Sequence, residues 1–314
     1  PFTILSLIDD PKIQKICSEN FINKKFEYTE IEKDKSIIFN KKPKIAYFSS
    51  DFKNHPVLHL SLDIFKNHDK SKFEIFAFSL SKNKKDEWNQ NIESYFSEFI
   101  YVHDKSDAEI AALSKKIGID ISIDLNGFTN EGRQGIFFKR SAPIQINFLG
   151  YPGTMGAKFY DYIIADKTII PESKKKNYIE EIVYQENCYQ PNISEREISN
   201  KILKRSDFNL PEDKLVYCNF NSNYKITPEI FKAWMEILKE VPDSVFWIYS
   251  NNEIAEENLK NEAKLNAINE KRIIFAKRIN IKEHLKRIKL ADIFLDTFPY
   301  GAHTTASDTV RMGL

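Results

Sequence analysis

The chain has 314 residues, enough for two domains of ordinary size, with 42% hydrophobic residues and 46 basic against 45 acidic side chains. A net charge of +1 excludes a global electrostatic pull toward nucleic acid or an anionic membrane, and Lys-rich patches such as Lys41-Lys42 and Lys174-Lys175-Lys176 read as solvated surface. No run approaches the roughly 18 apolar residues of a membrane span, and Cys17, Cys188 and Cys218 have no paired or C-x-x-C spacing, which suits a reducing, cytoplasmic setting without disulfide framework or zinc knuckle.

The chain opens Pro1-Phe-Thr-Ile-Leu, with neither Met nor a basic-then-apolar leader, and closes on Arg311-Met-Gly-Leu314 inside a helix or turn. It reads as an internal fragment. Residues 1–42 are helical and then charged, and read as a lead-in from something upstream. From residue 43 onward, short runs of β-branched and aromatic residues alternate with amphipathic stretches. Strands are predicted at 44–48, 73–79, 99–102, 121–125, 145–149 and 162–165, then at 215–219, 245–249, 272–276 and 293–296. Apolar residues recur near a 3.6 period over 108–116 and 228–239, which predicts helices there. The alternation indicates an α/β fold, with parallel sheets covered by helices on both faces. The polar, strand-poor segment 190–207 divides the two sets. Two doubly wound units, 43–195 and 196–314, would place a cleft between them with ligand loops at the carboxyl ends of the strands.

Those loops carry the polar residues. The first is Ser49-Ser-Asp51-Phe-Lys-Asn54-His55-Pro56-Val-Leu-His59. His55 and His59 share a helical face by spacing, but no H-E-x-x-H glutamate or third ligand accompanies them, which argues against a metal. His55 at a strand end is either a contact to sugar or acceptor, able to take a proton near neutral pH, or simply the cap of a helix beginning at Pro56. Asp124-Leu-Asn126-Gly-Phe-Thr129 and Leu149-Gly150-Tyr-Pro-Gly-Thr154 end two further strands, with glycines that permit close backbone approach to a ligand or serve turn geometry alone. In the second half, Cys218-Asn-Phe-Asn221-Ser222-Asn-Tyr-Lys225 offers one lysine able to neutralise a phosphate.

The last window is the most informative. Asp296-Thr-Phe-Pro-Tyr-Gly-Ala-His303-Thr304-Thr305-Ala-Ser-Asp308 follows an apolar strand and runs into a predicted helix opening at Ser307. A helix start has free N–H groups and a positive dipole end, so strand, loop and hydroxyl-rich helix start suit an anion. Thr304 and Thr305 can add hydroxyl donors, and Asp308, about one turn on, is placed for a sugar hydroxyl. An ordinary capped helix would carry the same signs.

Together these words resemble the catalytic region of the O-linked N-acetylglucosamine transferase and SPINDLY group, glycosyltransferase family 41. The resemblance rests on Ser49-Ser-Asp-Phe-Lys-Asn-His-Pro56, Asn126-Gly-Phe-Thr129, Ala142-Pro-Ile-Gln145, Leu149-Gly-Tyr-Pro-Gly-Thr154, Asp161-Tyr-Ile-Ile164, Tyr217-Cys-Asn-Phe-Asn221 with Tyr224-Lys225, Leu290-Ala-Asp292 and His303-Thr-Thr305, in the family's order. Tyr189-Gln-Pro and Thr297-Phe-Pro-Tyr300 resemble bacterial members. The resemblance implies a GT-B architecture, two Rossmann-like lobes facing a cleft, with the C-terminal lobe truncated here. It implies a UDP-sugar donor, an inverting and metal-independent reaction without cofactor, protein Ser or Thr acceptors, and tetratricopeptide repeats upstream, for which residues 1–42 would be the connector. By the same resemblance His55 and Lys225 are catalytic, and His303, Thr304 and Thr305 hold the diphosphate. Asp308 takes the ribose, His284 and Arg287 flank the uracil, and Gly150 and Ser222 complete the nucleotide-sugar contacts. Ser222-Asn223 and Tyr300 depart from the animal enzymes, Tyr300 beside the N-acetyl pocket. The alternatives are a GDP-fucose or UDP-glucose donor, an asparagine or non-protein acceptor, or, because the C-terminal lobe is truncated, a non-catalytic nucleotide-sugar-binding scaffold.

Overall fold

The computed structural model describes residues 1–27, 40–82 and 87–314, so the charged part of the lead-in, residues 28–39, lies outside the described residues. The chain divides into two compact units, one of Pro1–Ile4 and Asp10–Ser194, the other of Leu5–Asp9 and Glu195–Leu314.

The first unit begins with α1 (Pro11–Lys25), capped by the Asp10 carboxylate with proline in its first turn. Aromatic contacts fasten this helix: Phe26, just beyond it, stacks on Phe138 at 4.6 Å, and Phe21 meets Phe128 edge-on at 5.3 Å. There follow β1 (Lys44–Ser49), α2 (Pro56–Asn67), β2 (Glu74–Ser79), α3 (Glu87–Glu93), β3 (Glu98–Tyr101), α4 (Asp107–Ile117), β4 (Ile121–Asp124), α5 (Gln134–Phe138), β5 (Ile144–Asn147), β6 (Tyr162–Ala165) and β7 (Glu181–Tyr184). Among the described residues, these strands form one parallel sheet in the order β3-β2-β1-β4-β5-β6-β7. α4 shows why the sequence turns where it does: Ser106 and Glu109 form a reciprocal capping box at its start, and Gly118 ends it at φ +79°. Leu58 and Phe65 of α2 share a core with Ile75 of β2 and Ile123 of β4, and the near-continuous apolar runs of β1 and β2 are what strands covered on both faces require. β7 was not anticipated, because Ile182 and Val183 are too short an apolar run to stand out after three lysines.

The second unit comprises β8 (Leu215–Asn219), α6 (Pro228–Glu240), β9 (Ser244–Tyr249), α7 (Glu253–Leu265), β10 (Ile273–Ala276), α8 (Ile281–Ile288), β11 (Ile293–Phe294) and α9 (Thr304–Met312). Its described strands are parallel in the order β10-β9-β8-β11. α6 starts on a Thr227 cap with Pro228 next, and buries Phe231, Trp234, Met235 and Leu238, one 3.6-period stripe. Each such side chain contributes about 1.5–3 kcal/mol by leaving water.

Strand order matters more than strand count for the site. In the first sheet the chain works outward from β1 through β2 to β3, then returns beside β1 at β4 and proceeds the other way. In the second it works from β8 to β10 and returns beside β8 at β11. Loops leaving two adjacent strands in opposite directions open a crevice at their carboxyl ends, the usual ligand position in such sheets. The β1/β4 and β8/β11 pairs are those switch points. Among the described residues, no helix is long and apolar enough to cross a membrane.

Candidate active site

At the second switch point, the loop after β8 is tied to the loop after β11. Asn219 Nδ2 donates to the Leu295 carbonyl at 2.6 Å, and Asn221 Nδ2 donates to Thr297 Oγ1 at 3.0 Å and Asp296 Oδ1 at 3.1 Å. Asp296 Oδ1 also accepts from the Thr297 and Ala302 N–H groups, at 2.7 and 2.8 Å, and so shapes the turn that leads to α9. Lys225, buried at the end of a short 3-10 turn, is delivered into this loop. Its ammonium donates to the Gly301 carbonyl at 2.9 Å and lies 3.9 Å from the centre of the Tyr300 ring. Burial lowers its pKa to about 8, against the pull of Asp296. Ser222 is exposed at the head of the same turn, where its carbonyl accepts the Lys225 N–H at 3.0 Å.

α9 begins at Thr304, three residues before the predicted start. Its N-cap is His303, whose side chain makes no capping bond. Ser307 looked like the start because serine is a preferred cap, whereas the real start has no side-chain cap to betray it. The consequence is chemical: the first turn keeps donors for an incoming acceptor, with the Thr304 and Thr305 hydroxyls beside them. His303 meets Tyr300 edge-on at 5.5 Å, and burial, then the Lys225 charge, lowers its pKa to about 4. A neutral His303, a cationic Lys225 and an uncapped helix start are thus gathered in one loop system, which favours an anion.

The other predicted residues of this unit form a second cluster. Asp308 is ion-paired with Arg196, a residue that nothing in the polar segment 190–207 singled out. Burial raises Asp308 to about 6 despite Arg196 and Arg311. Arg287 is 2% exposed, packed among the rings of Phe208, Phe220 and Trp247, and donates to the Lys277 carbonyl at 2.6 Å and to His284 Nδ1 at 3.1 Å. Nδ1 of His284 being an acceptor, the neutral ring carries its proton on Nε2. Burial, Arg287 and Arg196 lower its pKa to about 3, so the ring stays neutral. Arg287 therefore holds His284 as a neutral ring with its proton on Nε2.

At the first switch point, the β1 and β4 loops meet on Asn126. Its Oδ1 accepts the Ser50 N–H at 2.8 Å, and its Nδ2 donates to Ser50 Oγ at 2.8 Å, Asp51 Oδ2 at 2.9 Å and Thr129 Oγ1 at 3.2 Å. His55 is the N-cap of α2: its Nδ1 accepts the Val57 N–H at 3.3 Å and stands 3.5 Å from Asp51 Oδ2. His59 does not share its surroundings. Buried within α2, it pairs with Asn54 Oδ1 through Nε2 at 2.9 Å and meets Trp88 edge-on at 4.6 Å. Gly150 has an internal reason to be glycine, since a Cβ there would lie 2.0 Å from the Leu125 carbonyl oxygen. Among the described residues, no three His, Cys, Asp or Glu side chains are grouped so as to hold a metal ion.

Comparison with known proteins gives this geometry a context. The model of the family described as glycosyl transferase family 41 matches residues 12–195 and 190–314. Over 279 residues the chain is 37% identical to the Arabidopsis thaliana protein named probable UDP-N-acetylglucosamine–peptide N-acetylglucosaminyltransferase SEC, covering 87% of this chain and 29% of that one. The corresponding Caenorhabditis elegans enzyme is 25% identical over 382 residues, covering 86% of this chain and 33% of its own. The chain thus spans a third or less of the lengths of these curated relatives. A solved Thermobaculum terrenum O-GlcNAc transferase mutant matches 99% of this chain and 59% of its own, with a TM-score of 0.87 at 22% identity. That likeness supports the GT-B fold and, at such identity, nothing beyond the fold. The sheet order, the two switch points and the family match agree: this chain belongs to glycosyl transferase family 41.

Proposed function

We propose that the chain is the catalytic region of a glycosyltransferase that moves N-acetylglucosamine from its UDP conjugate to Ser or Thr hydroxyls of proteins, with inversion and without a metal ion. The observation that carries this reading is the gathering of Lys225, His303 and the uncapped start of α9 at the β8/β11 switch point. As the bond to the sugar breaks, negative charge grows on the leaving diphosphate, and a fixed ammonium with free N–H donors can stabilise it where other enzymes use a metal ion. The names of the Arabidopsis and Caenorhabditis relatives supply the donor and the peptide acceptor.

On this reading the acceptor oxygen forms its bond to the anomeric carbon as the bond to UDP breaks, and UDP leaves with the electron pair. One displacement inverts the centre. The hydroxyl proton goes to a base, for which His55 is the candidate. The second unit holds the donor, with His284 and Asp308 toward the nucleoside, and the first supplies the proton acceptor. Tetratricopeptide repeats upstream would recruit the protein acceptors, and the reaction would belong in the cytoplasm. Calorimetry with UDP and GDP, each with and without EDTA, tests the donor site. UDP is expected to bind more tightly than GDP, with an affinity unchanged by EDTA; equal affinities, or binding lost on chelation, would overturn the proposal.

A further inference from the structure

We infer that Asp51 is a positioning residue that decides which ring nitrogen of His55 carries the proton. The inference rests on the reading of His55 as the proton acceptor of the transfer. Two groups compete for Nδ1 of His55, the Val57 N–H at 3.3 Å and Asp51 Oδ2 at 3.5 Å, and they require opposite states of it. Accepting from Val57 takes the Nδ1 lone pair, so a neutral ring then bears its proton on Nε2 and has no lone pair to offer outward. Pairing with the carboxylate puts the proton on Nδ1 and leaves the Nε2 lone pair free. Only the second tautomer can take a proton through Nε2. Both contacts lie at the long end for hydrogen bonds, so neither state is locked by the cap alone.

What biases the ring is how firmly the carboxylate is held. Asp51 is 6% exposed. Its N–H is bound by Ser49 Oγ at 2.9 Å, and the oxygen that faces His55 is the one that accepts from Asn126 Nδ2 at 2.9 Å. Asn126 is itself fixed by Ser50, so the β1/β4 switch point aims a carboxylate oxygen at the imidazole. The other charged groups here are Lys53, 3.8 Å from the remaining Asp51 oxygen, and Glu131, 3.2 Å from Lys53. Burial raises the pKa of Asp51 and lowers that of His55, and the attraction between the two opposes both shifts. The Lys53 charge lowers the pKa of both the carboxylate and the ring, and that of Glu131 raises the pKa of Asp51. As the acceptor oxygen bonds to the sugar, its proton passes to Nε2, and the resulting imidazolium is stabilised by Nδ1–H facing Oδ2.

The test reads the ring directly. Long-range proton–nitrogen correlation spectra of the nitrogen-15-labelled chain, taken at about pH 8 where a histidine is neutral, report the tautomer; His55→Gln assigns the signal among the six histidines. The wild-type ring is expected to carry its proton substantially on Nδ1. Asp51→Ala should move it to Nε2, whereas Asp51→Asn, which keeps an acceptor oxygen but no charge, should retain the tautomer and lower the ring's pKa. Transfer should fall by about tenfold or more in Asp51→Ala and less in Asp51→Asn, within the range of general-base effects. A wild-type ring protonated only on Nε2 overturns the inference without any variant, as does a tautomer unchanged in Asp51→Ala. Undiminished transfer by His55→Ala would instead remove His55 from the chemistry while leaving the Asp51 effect on its tautomer intact.

Discussion

On the proposed function, Lys225 is the residue that meets the leaving diphosphate, and its burial has a consequence for pH. A lysine ordinarily titrates near 10.4, and burial here brings it to about 8. The neutral form is therefore within reach at mildly alkaline pH, and an approaching diphosphate would push the pKa back up. For folding, a cation with a lowered pKa is a cost present below about pH 8 and relieved as pH rises toward the unfolded value, so removing it should not weaken the fold. For turnover the sign is opposite, since only the ammonium offsets charge on UDP. Lys225→Ala should lower kcat by about a hundredfold or more. In the wild type kcat/KM should decline above about pH 8, and this alkaline limb should be absent from the variant. Steady-state rates across pH check both; a variant with near-normal turnover would mean that Lys225 takes no part in the departure of UDP.

The elements of the second unit were largely readable from the chain, because long strands such as β9 and stripes such as that of α6 declare their period. Function-bearing loops were readable too, since they follow strands. What periodicity could not supply was strand order, and strand order is what makes the β1/β4 and β8/β11 loops neighbours. Asp51 stood in its loop without a role and Arg196 was not singled out, because each has a partner distant in sequence, 75 residues on at Asn126 and 112 on at Asp308. Gly150 illustrates the converse. Its sequence context allowed either close approach to a ligand or a tight turn, and Leu125 just beyond β4 already fills the space a side chain would need. Gly150→Ala should therefore destabilise the first unit by about 1–3 kcal/mol, the usual cost of overpacking. Chemical denaturation would show it as a lower midpoint with unchanged slope; an unshifted midpoint would mean that glycine is kept there for the ligand and not for Leu125.

At the scale of the molecule, the chain is two units, each with its own sheet, its own core and its own switch point. Chemistry assigned to one unit should therefore fail separately from chemistry assigned to the other. Thr304→Ala with Thr305→Ala removes two hydroxyls from the start of α9 while leaving its backbone N–H groups. UDP binding should weaken by about 1–3 kcal/mol, the range for hydrogen bonds to charged groups. His55→Ala removes a ring from the first unit, so UDP affinity should stay nearly constant while sugar transfer falls. The α2 cap is lost in that variant, at a cost of about 0.5–2 kcal/mol in stability, and a melting curve must accompany the assay to separate lost chemistry from lost fold. A protein that only binds nucleotide-sugars would show no transfer in any version, whatever its affinity for UDP. Loss of UDP binding in a folded His55→Ala variant would contradict the division of labour between the units, since the first unit would then take part in holding the donor.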